Sequence, residues 1–71
     1  MEYVRFTNSD VAKIATYISV FKVPAVIIVN GVKYIVSIES DDVIDMLQIR
    51  YNGKLQVVQK VKNGYLTCRP Y

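Results

Sequence analysis

Apolar residues recur along this chain with two different periods. From residue 9 to about 21, Val11, Ile14, Ala15, Ile18 and Phe21 fall at helical spacing on one stripe. Asn8 or Ser9 can cap this helix and Asp10 suits its positive N-terminal end. The helix must stop near Lys22, because Pro24 pushes Val23 out of the α region and has no N–H to donate. Residues 2–6, ahead of the helix, read as an extended, frayed edge segment.

After Pro24 the period changes to two. Val32, Tyr34, Val36 and Ile38 alternate, and so do Leu47, Ile49 and Tyr51. Three Asn-Gly pairs, at 30–31, 52–53 and 63–64, separate apolar runs, and Asn-Gly is the strongest short signal for a hairpin turn with positive φ. The pattern predicts five antiparallel strands near 25–30, 32–39, 43–51, 54–61 and 65–69. A strand over 43–51 is preferred because Asn52-Gly53 then joins it to the next run. The alternative is a short helix over 41–47, capped by Ser40, with Val43, Ile44 and Leu47 at helical spacing. One domain of class α+β, mainly β, follows: a helix and a bent five-stranded sheet closing into a small barrel of the OB/SH3 kind, which reduces exposed edges.

One strand does not fit a barrel interior. Between 25 and 30 both faces are apolar, with Ala25, Ile27 and Val29 on one and Val26 and Ile28 on the other, while Ile35 joins the normally polar side of its strand. A small chain has no second core for such a face, so it predicts a subunit contact.

Composition supports the sheet and narrows the chemistry. Twelve Val and eight Ile against three Leu is a strand former's composition. One Cys and no His exclude an internal disulfide framework and the usual structural zinc sites, and the expected compartment is a reducing cytoplasm. Arg5, Asp10 and Lys13 interrupt any apolar N-terminal run, so neither a signal peptide nor a membrane span is expected. The absence of His, of a Gly-rich phosphate loop and of a paired nucleophile argues against an enzyme, and no metal or cofactor is expected. Asp41, Asp42 and Asp45 read as turn formers and solvating charges, with Asp42 holding the turn by accepting backbone hydrogen bonds. A net charge of +3 is compatible with nucleic acid without requiring it.

Val23-Pro24, the stretch VNGVKYIVSIES and Asp42 two residues after Ser40 together resemble the first conserved motif of the Hfq branch of the Sm-like (LSm) family. The terminal CRPY, residues 68–71, is similar to the end of that family's core. Where the family has Tyr-Lys-His, this chain has Gln59-Lys60-Val61, and Lys62-Asn63-Gly64 resembles the Arg-Gly turn of other Sm-like proteins. The resemblance identifies a divergent member over residues 9–71. It implies an Sm-like barrel in a homohexameric ring, acting as an RNA chaperone in post-transcriptional regulation and holding small regulatory or other single-stranded RNA, U-rich or A-rich, on its faces.

On the helix-bearing, pore-facing side, the family's uridine pocket maps onto Ser40, Asp42, Val43, Ile44 and Lys60, with help from Lys62. Ile44 stands where the family stacks an aromatic residue on the base. On the opposite face, the adenine site maps onto Ile27, Gly31, Val32, Lys33, Tyr34 and Gln56. Ile27 replaces a stacking aromatic there, and Tyr34 offers a relocated platform. Of the family's basic rim only Lys22 remains. The competing reading is a small barrel that binds another protein through its sheet edges and apolar face.

Overall fold

The computed structural model describes residues 3–71; Glu2, part of the expected extended segment, lies outside them. Helix α1 spans Asn8–Phe21 and is capped by Thr7, one residue earlier than expected. The Thr7 hydroxyl accepts from the Asp10 N–H at 3.1 Å, and the Asp10 carboxylate accepts from the Thr7 N–H at 3.3 Å. This capping box satisfies two donors that Asn8 or Ser9 would have met singly. Lys22 ends the helix in the left-handed region, its N–H donating to the Ile18 carbonyl. Val11, Ile14 and Ile18 face the core. Phe21 leaves that stripe, staying exposed with its ring 4.8 Å from Tyr17.

Strands β1 (Ala25–Val29) and β2 (Val32–Glu39) form a hairpin closed by Asn30 and Gly31, with φ of 51° and 79°. Positive φ at both turn positions matches the twist of the flanking strands, so this Asn-Gly acts as expected. The second does not. The expected strand over 43–51 is a 3₁₀ turn, Asp41–Val43, running into helix α2, Ile44–Arg50. Asp45 lies in the first turn of α2 and Arg50 in its last, each favourable to the helix dipole. Asn52 and Gly53, at φ 56° and 72°, terminate this helix, with the Gly53 N–H donating to the Gln48 carbonyl at 2.7 Å. The positive φ that closes a hairpin closes a helix equally well.

The loss of that strand changes the topology. Strands β3 (Gln56–Val61) and β4 (Gly64–Pro70) form the second hairpin, and β4 returns to pair with β2. The sheet has four antiparallel strands in the order β1-β2-β4-β3 and does not close, so the expected fifth strand and barrel are absent. Its free edges are β1 and β3.

The two faces are covered differently. Val36, Leu66, Cys68 and Ala25 meet α1 and Val4 in the main core. Gln56 ties the N-terminal segment down: its amide accepts from the Val4 N–H at 2.9 Å and donates to the Val4 carbonyl at 2.7 Å. On the other face Thr67 is only 1% exposed, its hydroxyl donating to the Ser37 carbonyl. Tyr51, directly after α2, lies against Arg69 of β4, so the α2 segment covers this part of the second face. The β1 part of that face is bare, with Val26 and Ile28 exposed. No helix among the described residues is long and apolar enough to cross a membrane.

Candidate nucleic-acid interface

The two residue sets expected to meet RNA fall at opposite ends of the sheet. Five residue steps of paired strand separate Tyr34, opposite Pro70, from Glu39, opposite Tyr65. At strand rise this is about 17 Å.

At the Tyr34 end, Tyr34 and Gln56 share an open groove of about 520 Å³ with Asn52, Gly53, Lys54, Cys68, Arg69 and Pro70. Strand pairing explains the meeting: Tyr34 is opposite Pro70, and Gln56 is opposite Cys68. The groove therefore combines an aromatic ring, two amide side chains and two cations. Arg69 is held in place, its guanidinium 4.3 Å from the Tyr51 ring centroid, with Arg50 on the same ring at 5.9 Å. Such stacking orients a guanidinium while leaving edge donors for a phosphate or base.

Lys33 stands beside this end on the face away from α1, its Nζ 5.6 Å from the Tyr71 ring centroid. The Tyr71 N–H donates to the Lys33 carbonyl, which continues the β2–β4 ladder by one step. Gly31 and Val32 lie in and after the adjoining turn. Ile27 packs into the core on the α1 face and does not join the groove.

At the Glu39 end, Ser40 lies close to Gly64 in the β3–β4 hairpin that carries Lys60 and Lys62. The Lys60 ammonium lies 5.2 Å from the Tyr65 ring and donates to the Val61 and Gly64 carbonyls at 3.2 and 3.3 Å. Strand alternation puts Lys60 and Tyr65 on the face away from α1, since Leu66 points into the core. Asp42 accepts from the Ser40 hydroxyl, in place of the expected backbone bonds. Val43 and Ile44 are half-buried at the start of α2, and Lys62 is exposed in the turn. Lys22 stands apart as the C-cap of α1.

Lys54, Arg69, Asn52, Tyr51 and Tyr71 are not marked as RNA-facing by the sequence, which reads Asn52 as a turn, Tyr51 as strand and Arg69 and Tyr71 as part of CRPY. Basic and aromatic residues interleave in RYNGK (50–54) and RPY (69–71), which was the available signal. Cys68, 2% exposed, has its thiol pushed up to about 11 by burial, so it stays protonated beside the groove. Comparison of the chain with family models, curated proteins and solved structures gives no match.

Proposed function

We propose that this chain binds single-stranded RNA, in the manner of an RNA chaperone domain, with the groove at the Tyr34 end as its principal site. One observation carries the reading: Tyr34, Gln56, Asn52, Lys54 and Arg69 line a single groove of about 520 Å³. An aromatic face can stack on a base, the Asn52 amide can meet a base edge while Gln56 stays bonded to Val4, and the cations can meet the phosphates. The reading rests on this groove and not on the Sm-like barrel, which a four-stranded open sheet does not form. Lys33 and Tyr71 extend the site along the same end of the sheet. Lys60, Lys62 and Ser40 at the far end form a secondary contact for a longer strand.

The test is fluorescence anisotropy with labelled oligo(U) and oligo(A). Tyr34→Leu keeps apolar packing and removes the ring, so it should weaken binding roughly 5- to 150-fold, the equivalent of one lost base stack. Lys13→Gln, on exposed α1, should have little effect. Full-strength binding by a folded Tyr34→Leu variant refutes the site assignment. Absence of binding to either oligonucleotide at low salt refutes the function.

A further inference from the structure

We propose that two copies of this chain pair through β1, edge to edge and antiparallel about a two-fold axis at Ile27, to give one continuous eight-stranded sheet. The first observation is the direction of the β1 backbone groups. In a two-residue hairpin the closing pair, Val29 and Val32, exchanges both hydrogen bonds, so Ala25, Ile27 and Val29 bond inward to β2. Val26 and Ile28 therefore present their N–H and C=O groups outward. Their side chains are also the bare apolar ones, 51% and 65% exposed.

The second observation is that, among the described residues, β1 carries none of the charges, prolines or bulges that protect an edge. Its sequence, AVIIV, has no charge, proline or glycine, and no bulge interrupts its pairing with β2. The opposite edge is guarded: β3 has an irregular register between Val57 and Gln59 and carries Lys60. A ring built by strand pairing needs both edges in every subunit, whereas a two-fold pair needs only β1. The structure therefore favours a closed dimer over the hexameric ring that the resemblance implies.

The axis position follows from the residues. Centred on Ile27, Val26 meets Ile28 of the second copy and each such pair exchanges both bonds. Centring on Val26 would set Ile28 against Pro24, which has no N–H; centring on Ile28 would set Val26 against Asn30, whose φ of 51° is not that of a strand. The same edge also has an apolar shoulder. Tyr17 of α1 lines a shallow recess with Ala25 and Val26, and Phe21 packs at a tilt against Tyr17 while remaining 61% exposed. A second copy at β1 brings its own α1 alongside this shoulder.

The surface area agrees. The chain exposes 5132 Å², whereas a folded monomer of 8.1 kDa is expected to expose about 4500 Å². The excess of roughly 600 Å² belongs to the chain as a whole, and the exposed Val26, Ile28 and Phe21 at this edge contribute to it.

Native mass spectrometry and sedimentation equilibrium, run from low to high micromolar concentration, test the pairing. The wild type should have twice the 8.1 kDa chain mass. Ile28→Pro removes an outward N–H that β1–β2 pairing does not use, so it should give a monomer with an unchanged circular dichroism spectrum. Should that variant fail to fold, Val26→Lys provides the same test without touching the backbone. Independently, Ile27→Cys should cross-link to itself under mild oxidation, because residues facing at a non-bonded antiparallel pair have Cα atoms about 4.5 Å apart. A monomeric wild type, a ring of higher order, or a dimer that survives in folded Ile28→Pro and Val26→Lys would overturn the proposal.

Discussion

The salt dependence of the proposed RNA binding offers the sharpest test of the groove, because each cation contributes a countable amount. Lys54 and Arg69 line it and Lys33 flanks it at the same end of the sheet, and one neutralised phosphate for each of the three sets the expectation. For single strands, each neutralised phosphate contributes a slope of about −0.7 to log K against log salt, so the wild type should show about −2.1. Raising salt fourfold should then weaken binding about 18-fold. Lys54→Gln removes one charge from an exposed position and should flatten the slope to about −1.4, a loss of about 7-fold over the same range. Lys33→Gln should do the same, and the double variant should reach about −0.7. Tyr34→Leu should lower affinity at every salt concentration and leave the slope unchanged, since stacking releases no counterions. Anisotropy titrations at four or more salt concentrations give all these slopes. If Lys13→Gln on α1 flattens the slope as much as Lys54→Gln does, binding follows overall charge and the groove is not the site.

Three further outcomes follow from the fold. Gly64→Ala should destabilise the protein by about 2–3 kcal/mol in urea unfolding, because the added Cβ would lie 2.3 Å from the Glu39 carbonyl oxygen at φ 148°; a Tm within a degree of wild type would refute this. Gln56→Leu should leave the Val4 N–H and carbonyl without partners, at about 1–3 kcal/mol each if they stay buried, and should accelerate hydrogen exchange at Val4; unchanged protection there would show that the N-terminal segment is held by something else. Cys68 should make stability fall in alkali: its thiol has an ordinary value of 9.0 unfolded and about 11 folded, so the unfolded state sheds its proton first as pH rises. That contribution is complete below pH 9 and lost through pH 11, amounting to about 3 kcal/mol, and the difference between wild type and Cys68→Ala over this window measures it.

What the sequence disclosed was governed by range. The α1 helix, its stop before Pro24 and the β1–β2 hairpin depend on neighbours a few residues apart, and all three are in the structure. The cap moved to Thr7 because reciprocity with Asp10 outweighs proximity to the apolar stripe. Asn52-Gly53 was ambiguous in a deeper sense, since a left-handed dipeptide ends a helix as readily as it turns a hairpin. Only the placement of 43–50 decides between them, and there Val43, Ile44 and Leu47 fit a helix with one buried side chain, Leu47. That single choice removed a strand, sent β4 back against β2 and left the sheet open. The groove was hidden for the same reason. Tyr34 and Gln56 were named by resemblance, but Lys54 reaches them only because the α2 segment crosses to the Pro70 end of the sheet.

The bare β1 face was legible from the start, since alternation alone put Val26 and Ile28 opposite Ala25, Ile27 and Val29. Strand order adds that this edge and the groove proposed for RNA are independent. The groove draws on β2, β3, β4 and residues 52–54, and on nothing from β1. With two strand spacings between β4 and β1, grooves related by an axis just beyond β1 lie on the order of 24 Å apart across the sheet. A short oligonucleotide fills one groove and gains nothing from pairing. An oligonucleotide long enough to reach both turns its second contact into an intramolecular one, which raises avidity without any new interaction. Ile28→Pro should therefore leave the affinity for a short oligo(A) within twofold of wild type, while removing most of the advantage of a long one. If short and long strands lose affinity together, the edge and the groove are one site. If the long-strand advantage survives in a monomeric variant, it arises within a single chain, from the Lys60 end of the same sheet.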